Sequence, residues 1–311
     1  MGNELFKLIR RFLEYLEIER NCSQLTLRNY NHYLIELNAF LVKETGQEKI
    51  RVEEIDLELV RKFRLYLSRK KGRQGEMKIS TQAYYVIALR SFLKWLIKND
   101  YKVLQPEKLD VPKEKAISLK FLNKEQMERL LNQPILSTKS GLRDRAILEL
   151  LFSTGLRVSE LVALNKDDID LKNREFGVVG KGGRARLVFI SKRAGQIIDR
   201  YLRIRTDPFK ALFVRYAGKY EFGVKEDSYR LTARSVQRLV KKYVIKAKLP
   251  VDATPHTLRH SMATDLLRSG ADLRSVQEIL GHKNIATTQV YTHVTNKRLR
   301  EVYEKFHSGN K

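Results

Sequence analysis

Apolar residues recur at three- and four-residue intervals from Asn3 to about Asp100, a rhythm that predicts helix throughout. Leu5, Leu8, Ile9, Phe12, Leu13 and Leu16 form the single buried stripe of an amphipathic first helix. A second, LRNYNHYLIELNAFLVKETG, has Ser23 or Thr26 available as N-cap and Gly46 as its stop. The run DLELVRKFRLYLSRKKG predicts a third helix ending at Gly72, and STQAYYVIALRSFLKWLIKND a fourth opening on Ser80. Four helices of this length make a small bundle.

The rhythm lapses in YKVLQPEKLDVPKEKAISLK, where Pro106 and Pro112 block helix and charges replace the stripe, as in an interdomain linker. Beyond it, Asn123 caps KEQMERLLNQ, and GLRDRAILELLFSTG is apolar enough to be a central helix, stopped by Gly155. RVSELVALNKDDIDL predicts another helix. EFGVVGKGGRARLVFI carries β-branched and apolar residues on both sides of Gly180, Gly182 and Gly183, a hairpin pattern. Helices follow in KRAGQIIDRYLRIR and, behind Thr232, in ARSVQRLVKKYVIKAKL, with a short strand expected at ALFV. Thr254-Pro255 opens one more helix and Asp272 the next, which Gly281 ends. The fold class is therefore mainly α: a helical bundle over 1–105, a linker over 106–118, and an α-rich mixed domain with a small β-hairpin over 119–311.

Charge changes what this architecture is for. Of 311 residues, 61 are Lys or Arg against 36 Asp or Glu, a formal charge of +25 that points to a polyanionic partner. Arg10, Arg11, Arg28, Arg61, Lys62, Arg64, Arg69, Lys70, Lys71, Arg73 and Lys78 crowd the bundle, either as a solvated face or as phosphate contacts. No uninterrupted run of about 18 apolar residues occurs, and the early acids of the amino terminus fit neither a secretory signal nor a membrane anchor. The lone Cys22 cannot form an intrachain disulfide, which agrees with a reducing, cytoplasmic setting.

Candidate chemistry concentrates between Thr254 and Tyr291. His256 and Arg259 lie three residues apart in a first helical turn, where the helix N-terminus favours anions, although for H-x-x-R alone a capping or packing His256 is the commoner case. His282 stands just outside a helix ended by Gly281, and Tyr291 follows. Upstream, Arg157 sits at a helix junction and Lys181 at a hairpin tip. Taken singly, each has an ordinary structural explanation.

In order, TGLRVSEL, GKGGRARLV, HTLRHSMATDLL and LGHKNIATTQVYTHV resemble the tyrosine recombinase (phage integrase) family, its Xer-type members most of all. The likeness is strong from about Leu119 onward and weaker in the bundle, which resembles the family's core-binding, DNA-binding domain. Asp265 departs from the pattern, standing where many relatives carry histidine, at a position without catalytic duty.

The resemblance implies a site-specific recombinase that cuts and rejoins DNA through a 3′-phosphotyrosyl intermediate. Tyr291 would be the nucleophile, Arg157 and Arg259 the clamp on the non-bridging oxygens, and Lys181 the acid toward the leaving 5′-oxygen. His256 would be the general base, His282 a donor to phosphate, and Glu160 an orienting acid or a purely structural one. His260 and His293 are expected to hold structure only. No cofactor and no metal are expected, and the chain has no Walker-type loop, Cys cluster or H-E-x-x-H.

Double-stranded DNA is the implied partner, held by bundle and catalytic domain together, with self-association into a synaptic tetramer and either one recombinase or two at the site. Leu299, Val302, Tyr303 and Phe306 form a terminal apolar stripe that packs on its own domain or docks on a neighbouring protomer. Two alternatives are a type IB-like topoisomerase and a DNA-binding protein without catalysis; the complete set of six residues speaks against the second.

Overall fold

A computed structural model describes residues 4–47, 49–72, 75–112, 120–180, 185–216 and 226–281. The chain divides into two compact units, Met1–Ile117 and Ser118–Lys311.

In the first unit the predicted stripe closes a four-helix core. Leu5, Leu8, Ile9, Phe12 and Leu16 of α1 (Glu4–Ile18) are all buried. α2 (Gln24–Thr45) starts where Ser23 Oγ accepts the Thr26 amide and ends at Gly46, whose φ of +68° is cheapest for glycine. Asp56 caps α3 (Leu57–Arg69) by accepting the Leu59 amide at 2.8 Å. With α4 (Ile79–Lys98) in place, Phe12 packs on Phe92 and Trp95 with ring centroids 5.4 and 5.7 Å apart. Burial of each such ring stabilises the unit by about 1.5–3 kcal/mol.

Two boundaries differ from the sequence reading. α3 stops at Arg69 rather than Gly72, because Lys70 turns extended and its ammonium pairs with Glu36 of α2. Lys71–Gly72 (β1) then pairs antiparallel with Gly75–Glu76 (β2). The expected linker also begins later than Pro106: Pro106–Lys108 form a 3-10 turn against α4, Leu109 is buried, and Val111 packs on the same core.

The second unit is built around α6 (Lys139–Thr154), which is buried on nearly every side. α5 (Lys124–Leu131) leads into it through a capping box, Asn123 Oδ1 accepting the Gln126 amide at 2.8 Å and Gln126 Oε1 the Asn123 amide at 3.0 Å. α8 (Lys192–Arg203), α9 (Ala233–Lys246) and α10 (Pro255–Ser269) pack around α6. The predicted hairpin is β3 (Glu175–Val179) against β4 (Ala185–Phe189), in register Glu175↔Phe189 through Val179↔Ala185. α11 (Leu273–Leu280) runs from the Asp272 cap to Gly281, as its sequence indicated.

α7 (Val158–Ala163) is far shorter than the run to Leu171 suggests. Arg230 ends it: Nη1 donates to the carbonyls of Val162, Ala163 and Leu164 at 2.9–3.1 Å, and Nη2 donates to Asn165 Oδ1 at 2.7 Å. The expected strand at ALFV is reduced to two isolated bridges, Asn165↔Ala211 and Val214↔Arg230.

Candidate active site

α10 presents the site. Thr254 and Thr257 exchange side-chain and backbone hydrogen bonds at the helix start, and Pro255 fills the first helical position, where its missing N–H costs nothing. One turn of helix then places His256 and Arg259 on the same side. Arg259 is only 3% exposed. Its Nη1 donates to the Gly155 carbonyl and its Nη2 to the Leu280 carbonyl at 2.6 Å, so the negative ends of α6 and α11 hold one guanidinium.

The close meeting depends on Gly155. Its φ is +61°, and a Cβ there would lie 3.0 Å from Leu280 Cδ2 and 3.2 Å from Met262 Sδ.

Arg157 enters from the junction of α6 and α7. Its own amide and its Nη1 both donate to Glu160, at 2.9 and 2.8 Å, which fixes a side chain still one-third exposed. A cavity of about 390 Å³ joins Arg157, His256 and Arg259, with Ser159, Gln237 and Thr254 also on its wall. Among the described residues no carboxylate lines it. Two guanidinium groups and a helix N-terminus therefore face a space with no internal counter-charge, an arrangement suited to an oxyanion such as a phosphodiester.

Glu160 is buried behind Arg157 and stays charged. Burial alone would raise its pKa, but hydrogen bonds from Arg186 and Arg157 outweigh it and hold the carboxyl down at about 2. His256 reaches solvent at the rim, yet desolvation by neighbouring protein, then Arg259 and Arg157, lower its pKa from the ordinary imidazole value. The ring is accordingly neutral near pH 7 and able to accept a proton. His260 stacks on it with centroids 5.8 Å apart, and burial, then His256 and Arg259, lower the second ring to about 4.

Arg157, Glu160, His256 and Arg259 are thus brought together, while Lys181, His282, His293, Tyr291 and the terminal stripe lie outside the described residues. The flanks of two of them are in view: β3 and β4 lead to and from 181, and Gly281 precedes His282.

Arg186 belongs to this group and escaped the sequence reading. It lies on β4 and donates to Glu160 through Nη1 at 3.1 Å and Nη2 at 2.8 Å. The alternation of RARLV held the signal: Arg186 shares the inward face with buried Val188, while Ala185 and Leu187 face solvent. An inward arginine needs a buried acid.

Among the described residues no cluster of three His, Cys, Asp or Glu could hold a metal ion, and no helix is long and apolar enough to cross a membrane.

Residues 120–298 match the Phage integrase family, and residues 9–100 match the Phage integrase N-terminal SAM-like domain. The chain belongs to the phage integrase family. Within this family, tyrosine recombinase XerD of Listeria innocua is 35% identical over 301 residues, covering 96% of this chain and 98% of its own. Tyrosine recombinase XerC of Pelobacter propionicus is 38% identical over 309 residues, with 97% and 96% covered. The fold is shared with the XerH site-specific recombinase bound to palindromic difH substrate, at a TM-score of 0.73 and 21% identity over 98% of this chain and 97% of that one. It is shared too with the Tn1549 transposon integrase in complex with transposon right end DNA, at 0.72 and 22% over 97% and 99%.

Proposed function

We propose that this chain is a site-specific DNA recombinase that cuts and rejoins DNA strands through a 3′-phosphotyrosyl intermediate. The observation that carries the reading is the cavity shared by Arg157, Arg259 and His256, which no carboxylate of the described residues lines. The names of relatives that align almost end to end, tyrosine recombinases XerD and XerC, support it.

Tyr291 is the nucleophile. Its Oη attacks the scissile phosphorus and the P–O5′ bond breaks, leaving the 3′-phosphate esterified to the ring. His256 takes the phenolic proton, as its neutral state permits. Lys181 gives a proton to the departing 5′-oxygen, and His282 donates to a phosphate oxygen. Arg157 and Arg259 bind the non-bridging oxygens, which gather charge in the transition state; a fixed planar fork suits that task. In religation a 5′-hydroxyl returns its proton to Lys181 and attacks the same phosphorus, the P–O bond to Tyr291 breaks, and Tyr291 recovers its proton from His256. One ester replaces another at each step, so the backbone bond is conserved without ATP.

The partner is double-stranded DNA; the Tn1549 transposon integrase of the same fold is in complex with DNA, and the net charge of +25 supports contacts to phosphates from both units. Two protomers occupy each duplex and four meet in synapsis, either as one protein or beside a second recombinase. The setting is the cytoplasm.

Incubation with a nicked suicide duplex carrying the cognate site tests this reading. The wild-type chain accumulates a covalent adduct, whereas Tyr291→Phe binds the duplex and traps none. An adduct from Tyr291→Phe overturns the nucleophile, and no adduct from wild type overturns catalysis. Strand exchange between two sites, as opposed to relaxation alone, separates recombinase from topoisomerase.

A further inference from the structure

Arg186 ties three parts of the second unit together. Its guanidinium forks onto both oxygens of Glu160, at 3.1 and 2.8 Å, with the two side chains only 12% and 7% exposed. The same carboxylate holds the amide and Nη1 of Arg157. On its other side Arg186 lies under the left-handed turn that ends α11: a Cβ on Gly281, at φ +65°, would come 3.0 Å from Arg186 Cδ and 3.4 Å from its Nε and Nη1. Its Nε is buried without a partner among the described residues, so the side chain is placed by the fork and by packing. In sequence, the strand that carries it follows Lys181 by four positions, and Gly281 is followed by His282.

We propose that Arg186 is a positioning residue for strand cleavage: it locks Glu160, and through Glu160 the phosphate-binding Arg157, while supporting the turn that precedes His282. This rests on the recombinase reading above. The fork matters because a bidentate pair fixes direction as well as charge. A single acid between two guanidiniums also transmits displacement, since a Glu160 that loses Arg186 is free to follow Arg157 toward solvent. The charged groups facing Glu160 are Arg157 from the α6–α7 junction and Arg186 from β4, with Arg259 and His256 of α10 sharing the cavity beyond Arg157.

The test is a double-mutant cycle on single-turnover cleavage of the suicide duplex, with duplex affinity and melting followed alongside. Arg186→Met slows cleavage on the order of 100-fold, the cost of misplacing a reacting group by about 1 Å, and leaves duplex affinity unchanged. Glu160→Gln slows it comparably, and the double variant loses far less than the product of the two single losses, because both act chiefly through one linkage.

Arg186→Lys keeps the charge without the fork and serves for the cycle if the methionine variant does not melt cooperatively. It cleaves about tenfold slower than wild type, with the same non-additivity. Wild-type rates in Arg186→Met, or in Arg186→Lys where that variant replaces it, or multiplicative losses in the cycle, overturn the proposal. A wild-type chain that forms no adduct overturns the recombinase reading instead.

Discussion

The two units solve opposite electrostatic problems. In the first, every buried residue among those described is apolar, and its charges sit on the surface in pairs such as Lys62–Glu44 at 2.9 Å. The second buries Asp144, Arg145, Glu149 and Arg259 in or beside its central helix. Arg145 donates to Glu149 and to Asn132, Glu149 also accepts from Arg193, and Asp144 accepts from Tyr243 at 2.8 Å. Buried ion pairs add little net stability, but each has one satisfactory geometry. On the recombinase reading proposed above, a unit that only offers a basic surface to a polyanion has no need of that fixity, whereas one that aims guanidiniums at a single phosphorus does.

Arg259 gives the largest expected effect on cleavage, and Arg145 the largest on stability. Arg259→Lys supplies charge but cannot reach the carbonyls of Gly155 and Leu280 together while facing the cavity. Single-turnover cleavage falls about 100- to 1,000-fold, equivalent to about 2.7–4 kcal/mol of lost transition-state binding, with duplex binding retained. Next comes Arg145→Met, which leaves Glu149 without its helical partner and lowers unfolding free energy in urea by about 3–5 kcal/mol. Adding Glu149→Met recovers most of that loss, because the half-exposed Arg193 still pairs with Glu128. Least affected is Lys62→Met in the first unit, which leaves the melting temperature where it was, since its pair is exposed and screened. A Lys62→Met loss equal to that of Arg145→Met would collapse the contrast between the units.

Much of this was legible in the sequence because helix signals are local. Ser23, Asn123, Thr232, Thr254 and Asp272 cap the helices they were expected to cap, and Gly46, Gly155 and Gly281 end them in left-handed turns. Arg157, His256 and Arg259 were selected by motif, and they share a cavity. What stayed hidden was decided by distant partners. α7 stops where Arg230, 66 to 68 positions away, takes its last carbonyls. α3 gives way at Lys70, drawn to Glu36 of another helix. Arg186 looked like one more basic residue after a glycine-rich turn, since its partner Glu160 lies 26 positions earlier.

The cavity wall has a consequence for the thermodynamics of the whole second unit. Folding gathers Arg157, Arg259 and the start of α10 around a space without a lining carboxylate, and so works against their mutual repulsion. Any small oxyanion that enters returns part of that work, and by linkage it favours the folded over the unfolded chain. Oxyanion affinity and thermal stability of the second unit are therefore expected to rise and fall together.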